Sequence, residues 1–343
     1  MLKLFGVLAL LAVTARVGAV DLRADCGELP SANLAALSVS TELDWLKAQR
    51  AIVDREKVNE AVRGAMAARA VVLLLEAARL DAVGEQANAA RIKDAVKTQL
   101  IDTGWRLGFL ARNGDEKARL ALAWVAKAGL FAATGAAVPS AQQACGLFNA
   151  PELNDFAEAR FQRAQCAANR NPNLALSELQ AAAKRGHPAA LDALGQLCLK
   201  ATPPDQRCAI TAFCAAARGG RGDSATRAAW LLVNHDQSQP AAAAALKLYE
   251  FAAARNDASA QNGLGELFET GRSGKRNETL AATWYARAAM QRLPVAQYNL
   301  ARMYADGRGV PRDRKRALTL AQASALAGFV RGREFEIWLR ANP

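Results

Sequence analysis

Residues 257–328 repeat one pattern twice at a fixed step, and this restricts the chain to a stack of small identical units. The first copy runs through Ala258, Ala260, Leu264, Gly265, Phe268, Gly271 and Gly274, then Ala281, Trp284, Tyr285, Ala288 and Ala289. The second runs through Ala296, Leu300, Ala301, Tyr304, Gly307, Gly309 and Val310, then Ala317, Leu320, Ser324, Ala325 and Gly328, so that Phe268 and Tyr304 lie 36 residues apart. A constant period of this size marks stacked supersecondary units. Within each copy the apolar and small residues recur at three and four, the period of a helix, and glycines separate two such stretches. Leu264 and Phe268 form an apolar ridge, while Ala258, Ala260 and Gly265 leave room for a neighbouring backbone. Neither helix can bury its stripe alone, whereas stacked neighbours bury it jointly.

The copies at 257–292 and 293–328 resemble the Sel-like repeat, a variant of the tetratricopeptide repeat about two residues longer than its 34-residue relative. The resemblance implies an all-α fold, a right-handed α-solenoid of antiparallel helix pairs. Upstream the register weakens. Ser224, Ala228, Ala229, Leu232, Ala244, Ala245, Leu248, Tyr249, Ala252 and Ala253 keep the step, with Asn234-His235-Asp236 in place of the glycine turn. Before them Ala190, Leu194, Gly195, Cys198, Ala209, Phe213, Ala216 and Ala217 fit around a shorter turn holding Pro203-Pro204. Earlier still, Ala175, Leu179, Ala182, Ala183 and Gly186 resemble a second helix. The repeats are therefore expected over 151–328, with an amphipathic capping helix over 329–343, where Phe335, Ile337, Trp338 and Leu339 stand among charged residues. A docking helix for a partner is the other reading of that segment.

Residues 1–19 read as a signal peptide: Lys3, a charge-free apolar run from Leu4 to Val13, and Val17-Gly18-Ala19 at a cleavage point. Ten apolar residues are too few to span a bilayer. No lipobox precedes Cys26, and no transmembrane segment is expected elsewhere. Residues 20–138 read as an N-terminal helical region of divergent helix hairpins. Helical patterns run from Thr41 to Leu80 with Gly64 as a candidate break, from Asn88 to Arg112, and from Glu116 to about Phe131 after an Asn113-Gly114-Asp115 turn. The boundary to the repeats falls at Thr134–Ser140.

The chain carries a formal charge of +12, and loss of Lys3 and Arg16 with the leader leaves it basic, which suits anionic partners. Six cysteines in an exported chain fit disulfides, although six allow 15 connectivities. Antiparallel packing brings Cys198 and Cys208 together around their turn. Cys145 and Cys166 flank a connection containing Pro151, which leaves Cys26 and Cys214. Buried free thiols are the alternative. No CxxC is present to hold zinc or run thiol exchange.

Catalytic signatures are missing. The two histidines, His187 and His235, fall at loops or helix starts, and His187, beside Gly186 and Pro188, is expected to be a solvent-facing turn residue. HExxH, GxSxG, Walker lysine and SxxK patterns do not occur, and nothing assigns a catalytic residue, a metal or a cofactor. Arg221-Gly222-Asp223 lies in an inter-repeat turn, where glycine and aspartate are expected anyway. What the resemblance implies is a non-catalytic periplasmic scaffold that binds another envelope protein through the concave face lined by the first helix of each repeat. On those helices Gln261, Asn262 and Glu266 match Gln297, Tyr298 and Arg302 at the same step, as rows of exposed polar residues. The alternative is a binder of cell-wall glycan or anionic exopolysaccharide along a basic edge made by stacked turns: Arg272, Lys275 and Arg276, then Arg308, Arg312, Arg314 and Lys315. Nucleic acid is disfavoured, because no aromatic residues interleave with that edge.

Overall fold

A computed structural model describes Cys26, Leu29 and residues 60–127, 141–236, 238–272 and 274–342, with the backbone alone for 60–69, 98–110 and 141–142. The expected signal peptide, the start of the helical pattern at Thr41 and the boundary at 134–140 lie outside these residues. Among the described residues the chain forms fifteen α-helices, one short 3-10 turn at Pro151–Leu153 and no strand. The helices are α1 (Glu60–Ala82), α2 (Gln86–Arg112), α3 (Glu116–Lys127), α4 (Ala141–Leu147), α5 (Ala157–Ala167), α6 (Pro172–Lys184), α7 (Pro188–Lys200) and α8 (Gln206–Arg218). There follow α9 (Gly222–His235), α10 (Gln239–Ala253), α11 (Ala258–Thr270), α12 (Glu278–Met290), α13 (Pro294–Asp306), α14 (Arg314–Leu326) and α15 (Val330–Ala341). Within each compact unit the helices pack mainly on their neighbours in sequence, as in a solenoid.

The chain divides into two compact units. The first holds α1 to α7 together with Gly219–Arg221. Its core gathers Leu73, Leu74 and Ala77 of α1, Ile92 and Val96 of α2, and Ala121, Trp124 and Val125 of α3 around Phe148 and Leu153. Gly64 does not break α1. The tight turns after α1 and α2 place Gly84 and Gly114 at positive φ, and Asp115 accepts the Ala118 N–H at 2.9 Å to start α3. Cys145 and Cys166 are joined in a disulfide with Cα atoms 5.8 Å apart.

His187 corrects the expectation of a solvent-facing turn. It is 5% exposed and caps α7, its Nδ1 accepting the Ala190 N–H at 3.2 Å. Its Nε2 lies 2.8 Å from Glu158, and its ring stacks on Phe161 at 4.4 Å between centroids. The imidazole is buried because it satisfies an orphan donor of the helix start and covers an apolar ring at once.

The second unit contains α8 to α15. Cys26 is bonded to Cys214, with Cα atoms 4.6 Å apart. Cys198 and Cys208 are also in disulfide form, so all six cysteines are oxidised. The duplicated pattern becomes duplicated geometry. α11 and α13 both end on a left-handed glycine, Gly271 at φ 73° and Gly307 at φ 71°. The returning chain is closed by the Asn277 N–H donating to Phe268 O and the Asp313 N–H donating to Tyr304 O, each at 2.9 Å. Asn277 and Asp313 then cap α12 and α14 by accepting from Leu280 N and Arg316 N. The link from each second helix to the next first helix takes positive φ at Gly220, Asn256, Arg292 and Gly328, one repeat step apart, although the residue type changes.

Asp257 caps α11 by accepting the Ala260 N–H at 2.7 Å. Asp257→Ala is expected to cost about 1 kcal/mol, measured as a lower denaturation midpoint.

Candidate functional site

The first helices of consecutive repeats, α11 and α13, lie side by side, and their facing edges carry a ladder of amides. Asn299 Nδ2 donates to Asn262 Oδ1 at 3.0 Å, and Asn262 Nδ2 donates to Glu266 at 2.8 Å. Gln291, at the end of α12, donates from Nε2 to Gln261 Oε1 at 2.9 Å and to Asn256 Oδ1 at 3.1 Å. Gln261 itself donates to Asn256 at 3.3 Å. One repeat further on the ladder becomes aromatic: Tyr298 stands where Asn262 stood and meets Phe335 edge-on at 5.8 Å and Phe329 at 5.6 Å.

The expectation of freely exposed polar rows is corrected for three of the six residues. Gln261, Asn262 and Gln297 are 4, 7 and 8% exposed. Small residues on these helices let the neighbours approach so closely that the amides serve the stacking itself. Glu266 is exposed, and Tyr298 and Arg302 are half-buried. Sequence comparison misses Asn299, since it lies 37 rather than 36 residues from Asn262. It also misses Asn256 and Gln291, which stand in the inter-repeat link.

Beside the ladder is an ionic knot. Glu269 accepts from the Tyr285 hydroxyl at 2.7 Å and from Arg308 at 2.8 Å, with Arg302 at 3.5 Å. Burial alone would raise the Glu269 carboxyl, but the Tyr285 hydroxyl and the two arginines outweigh it and hold the group below the ordinary glutamate range. Burial also pushes the Tyr285 phenol upward, reinforced by Glu269. A carboxylate with a lowered folded-state pKa contributes stability that is complete above the unfolded value of ~4.3 and is lost as pH falls through the lower folded value. Glu269→Gln is expected to cost about 1–3 kcal/mol at neutral pH. That deficit should shrink as thermal unfolding is followed to pH values progressively below the unfolded value of ~4.3.

The basic edge is largely consumed by internal contacts. Arg272 donates to Val233 O at 2.7 Å, Arg276 pairs with Glu278, Arg308 with Glu269, and Arg314 donates to Leu339 O. Lys275, Arg312 and Lys315 are exposed and make no ion pair among the described residues. The turn between α13 and α14 packs on the start of α12, where a Cβ on Gly309 would stand 2.2 Å from Glu278 O.

A cleft of about 420 Å³ opens between α12 and α13, lined by Ala282, Thr283, Met290, Leu300, Tyr304 and Val310. A second, of about 340 Å³, borders His187, Glu158 and Arg185 in the first unit. Among the described residues no group of three or more His, Cys, Asp or Glu side chains could hold a metal ion. No described helix is long and apolar enough to cross a membrane.

The Sel1 repeat family model matches residues 258–293 and 294–329, within one residue of the two copies delimited by sequence. Residues 258–329 are a pair of Sel1 repeats. No curated protein matches the chain. A structure described as a protective antigen present in uropathogenic Escherichia coli strains, displaying an SLR fold, is similar to this chain with a TM-score of 0.60. The likeness covers 91% of this chain and 72% of the other at 19% identity. A Sel1 repeat protein from Oxalobacter formigenes gives a TM-score of 0.53, covering 62% and 86% at 22% identity. These likenesses establish the fold. Sel1 repeats generally mediate protein–protein interaction, and the fold suggests a role of that kind.

Proposed function

We propose that the protein is a non-catalytic scaffold of the bacterial cell envelope that binds another envelope protein along the face carrying the amide ladder. The observation that carries this reading is the ladder itself. Asn262, Asn299, Gln261 and Gln291 hold one another in place, so a rigid surface flanks the accessible side chains of Glu266, Tyr298 and Arg302. Side chains already immobilised lose little entropy on binding. The oxidised cysteines support export, since disulfides persist outside the reducing cytosol.

The test is capture from a periplasmic extract followed by identification of the retained protein. Glu266→Lys with Arg302→Glu is expected to release it, whereas Lys275→Glu with Arg312→Glu and Lys315→Glu retains it. The reverse pattern, with binding that collapses between about 50 and 200 mM salt, would favour the glycan reading. The face is preferred over the edge because four of the seven edge cations already bond to other groups of the chain.

A further inference from the structure

Two residues that line the cleft between α12 and α13 are smaller than their counterparts in the repeats on either side. Thr279, Ala282, Thr283, Ala286 and Met290 form one stripe of α12 at helical spacing, and this stripe is one wall of the cleft. One step of 36 upstream, Leu246 and Glu250 stand at the places of Ala282 and Ala286, and one step downstream Leu318 and Gln322 stand there. Both leucines are half-buried, so this register accepts a leucine side chain in the folded stack. The two alanines withdraw that volume, and about 420 Å³ is left open. Ligand sites occupy about 300–1,000 Å³.

The cleft is reachable from solvent and carries one sign of charge. Met290 is 77% exposed, and Thr279, Thr283 and Arg287 are exposed as well. Leu300, Tyr304 and Val310 supply the other wall. Arg287 is the one charged residue of the lining; its guanidinium lies 4.5 Å from the Trp284 ring centroid and makes no ion pair among the described residues. Stacking on the indole orients a guanidinium and leaves its N–H groups available to an anion. Leu300 and Tyr304 each stand two residues from Tyr298 and Arg302, and residues two apart on a helix do not face the same way. The cleft therefore lies on the other side of α13 from the docking face proposed above.

We propose that the cleft is a second docking site, which takes a leucine side chain of a partner polypeptide into the space left by Ala282 and Ala286 while a carboxylate next to that leucine pairs with Arg287. Leucine is the occupant because the stack itself places leucine at this register one repeat upstream and one repeat downstream. The carboxylate follows from charge complementarity, since the lining offers one cation and no acid.

The probe is the capped tripeptide acetyl-Asp-Leu-Leu-amide, titrated into the full chain carrying methyl-labelled methionine, with the Met290 signal as readout. The expected result is saturable binding that shifts Met290. Acetyl-Asn-Leu-Leu-amide, which has the same shape without the charge, is expected to bind about threefold more weakly, and acetyl-Asp-Ala-Ala-amide about tenfold more weakly. Ala282→Leu with Ala286→Gln restores the side chains of the next repeat and is expected to weaken the probe by about tenfold. Arg287→Gln is expected to bind the aspartate and asparagine peptides equally; it is an exposed substitution and keeps the test open should the double variant fail to fold. No saturation, an unmoved Met290, equal binding of the aspartate and asparagine peptides by the parent chain, or a folded double variant that binds as the parent does would overturn the site. Tighter binding of octanoate than of the peptide, or a dimer of the free chain that the double variant dissociates, would assign the cleft to an acyl chain or to a second copy and overturn it too. Glu266→Lys with Arg302→Glu is expected to leave the probe's affinity unchanged, so that loss of this site and loss of the docking face are read separately.

Discussion

Gly309→Ala is expected to destabilise the protein by about 3 kcal/mol, the larger part from collision and the smaller from backbone strain. A Cβ at this position would lie 2.2 Å from Glu278 O and 2.3 Å from its carbonyl carbon, and φ is +68°. The obstruction is main chain at the start of α12, which cannot rotate away as a side chain could. Relief requires the turn to lift from the preceding repeat, and that separates the surfaces on which the stack depends. Gly328→Ala is the control. Its φ of +86° imposes the same kind of strain, but its Cβ would meet nothing within 4 Å, so a loss of only about 1 kcal/mol is expected. Chemical denaturation with unchanged slope provides both values. Equal losses at the two glycines would show that close approach of the turn contributes nothing.

Tyr285→Ala is expected to cost about 4 kcal/mol, because Tyr285 is among the largest fully buried side chains and its removal leaves a cavity between α11 and α12. Tyr285→Phe keeps the ring and loses only the bond to Glu269, for about 1–2 kcal/mol. The ring lies directly over Gly265, where a Cβ would come within 2.5 Å of it. Gly265→Ala should therefore cost about 2 kcal/mol in the parent chain and close to nothing in the Tyr285→Ala background. Additive losses in this double-mutant cycle would mean that the two residues do not share one contact.

Much of this arrangement is legible in the residue order. The step of 36 and the small residues at Ala260, Gly265, Ala296 and Ala301 indicate helices that must touch, and all four positions are buried. The glycines at 271 and 307 announce the left-handed ends of α11 and α13. Other features were hidden. Arg292 takes positive φ as Gly220 and Gly328 do, and an arginine does not announce it, whereas Asn256 is a residue type that tolerates that conformation. His187 and the amides of Gln261, Asn262 and Gln297 are polar and were expected at the surface. Their burial follows from partners far away in sequence, with Glu158 lying 29 residues from His187 and Asn299 37 from Asn262.

Local order of residue types specified the helix pair, its period and the need for copies to stack, because these follow from short-range periodicity and from the space that small side chains leave. Packing in three dimensions decided which polar groups would face a partner and which would bond to the next repeat. That choice depends on how closely backbones approach across an interface, so it is set by the sum of distant contacts. Gln261 and Gln297 are the same letter at the same register. Only the folded neighbour, Gln291 for one and Ala327 for the other, gives the first a side-chain bond and leaves the second a buried oxygen without one.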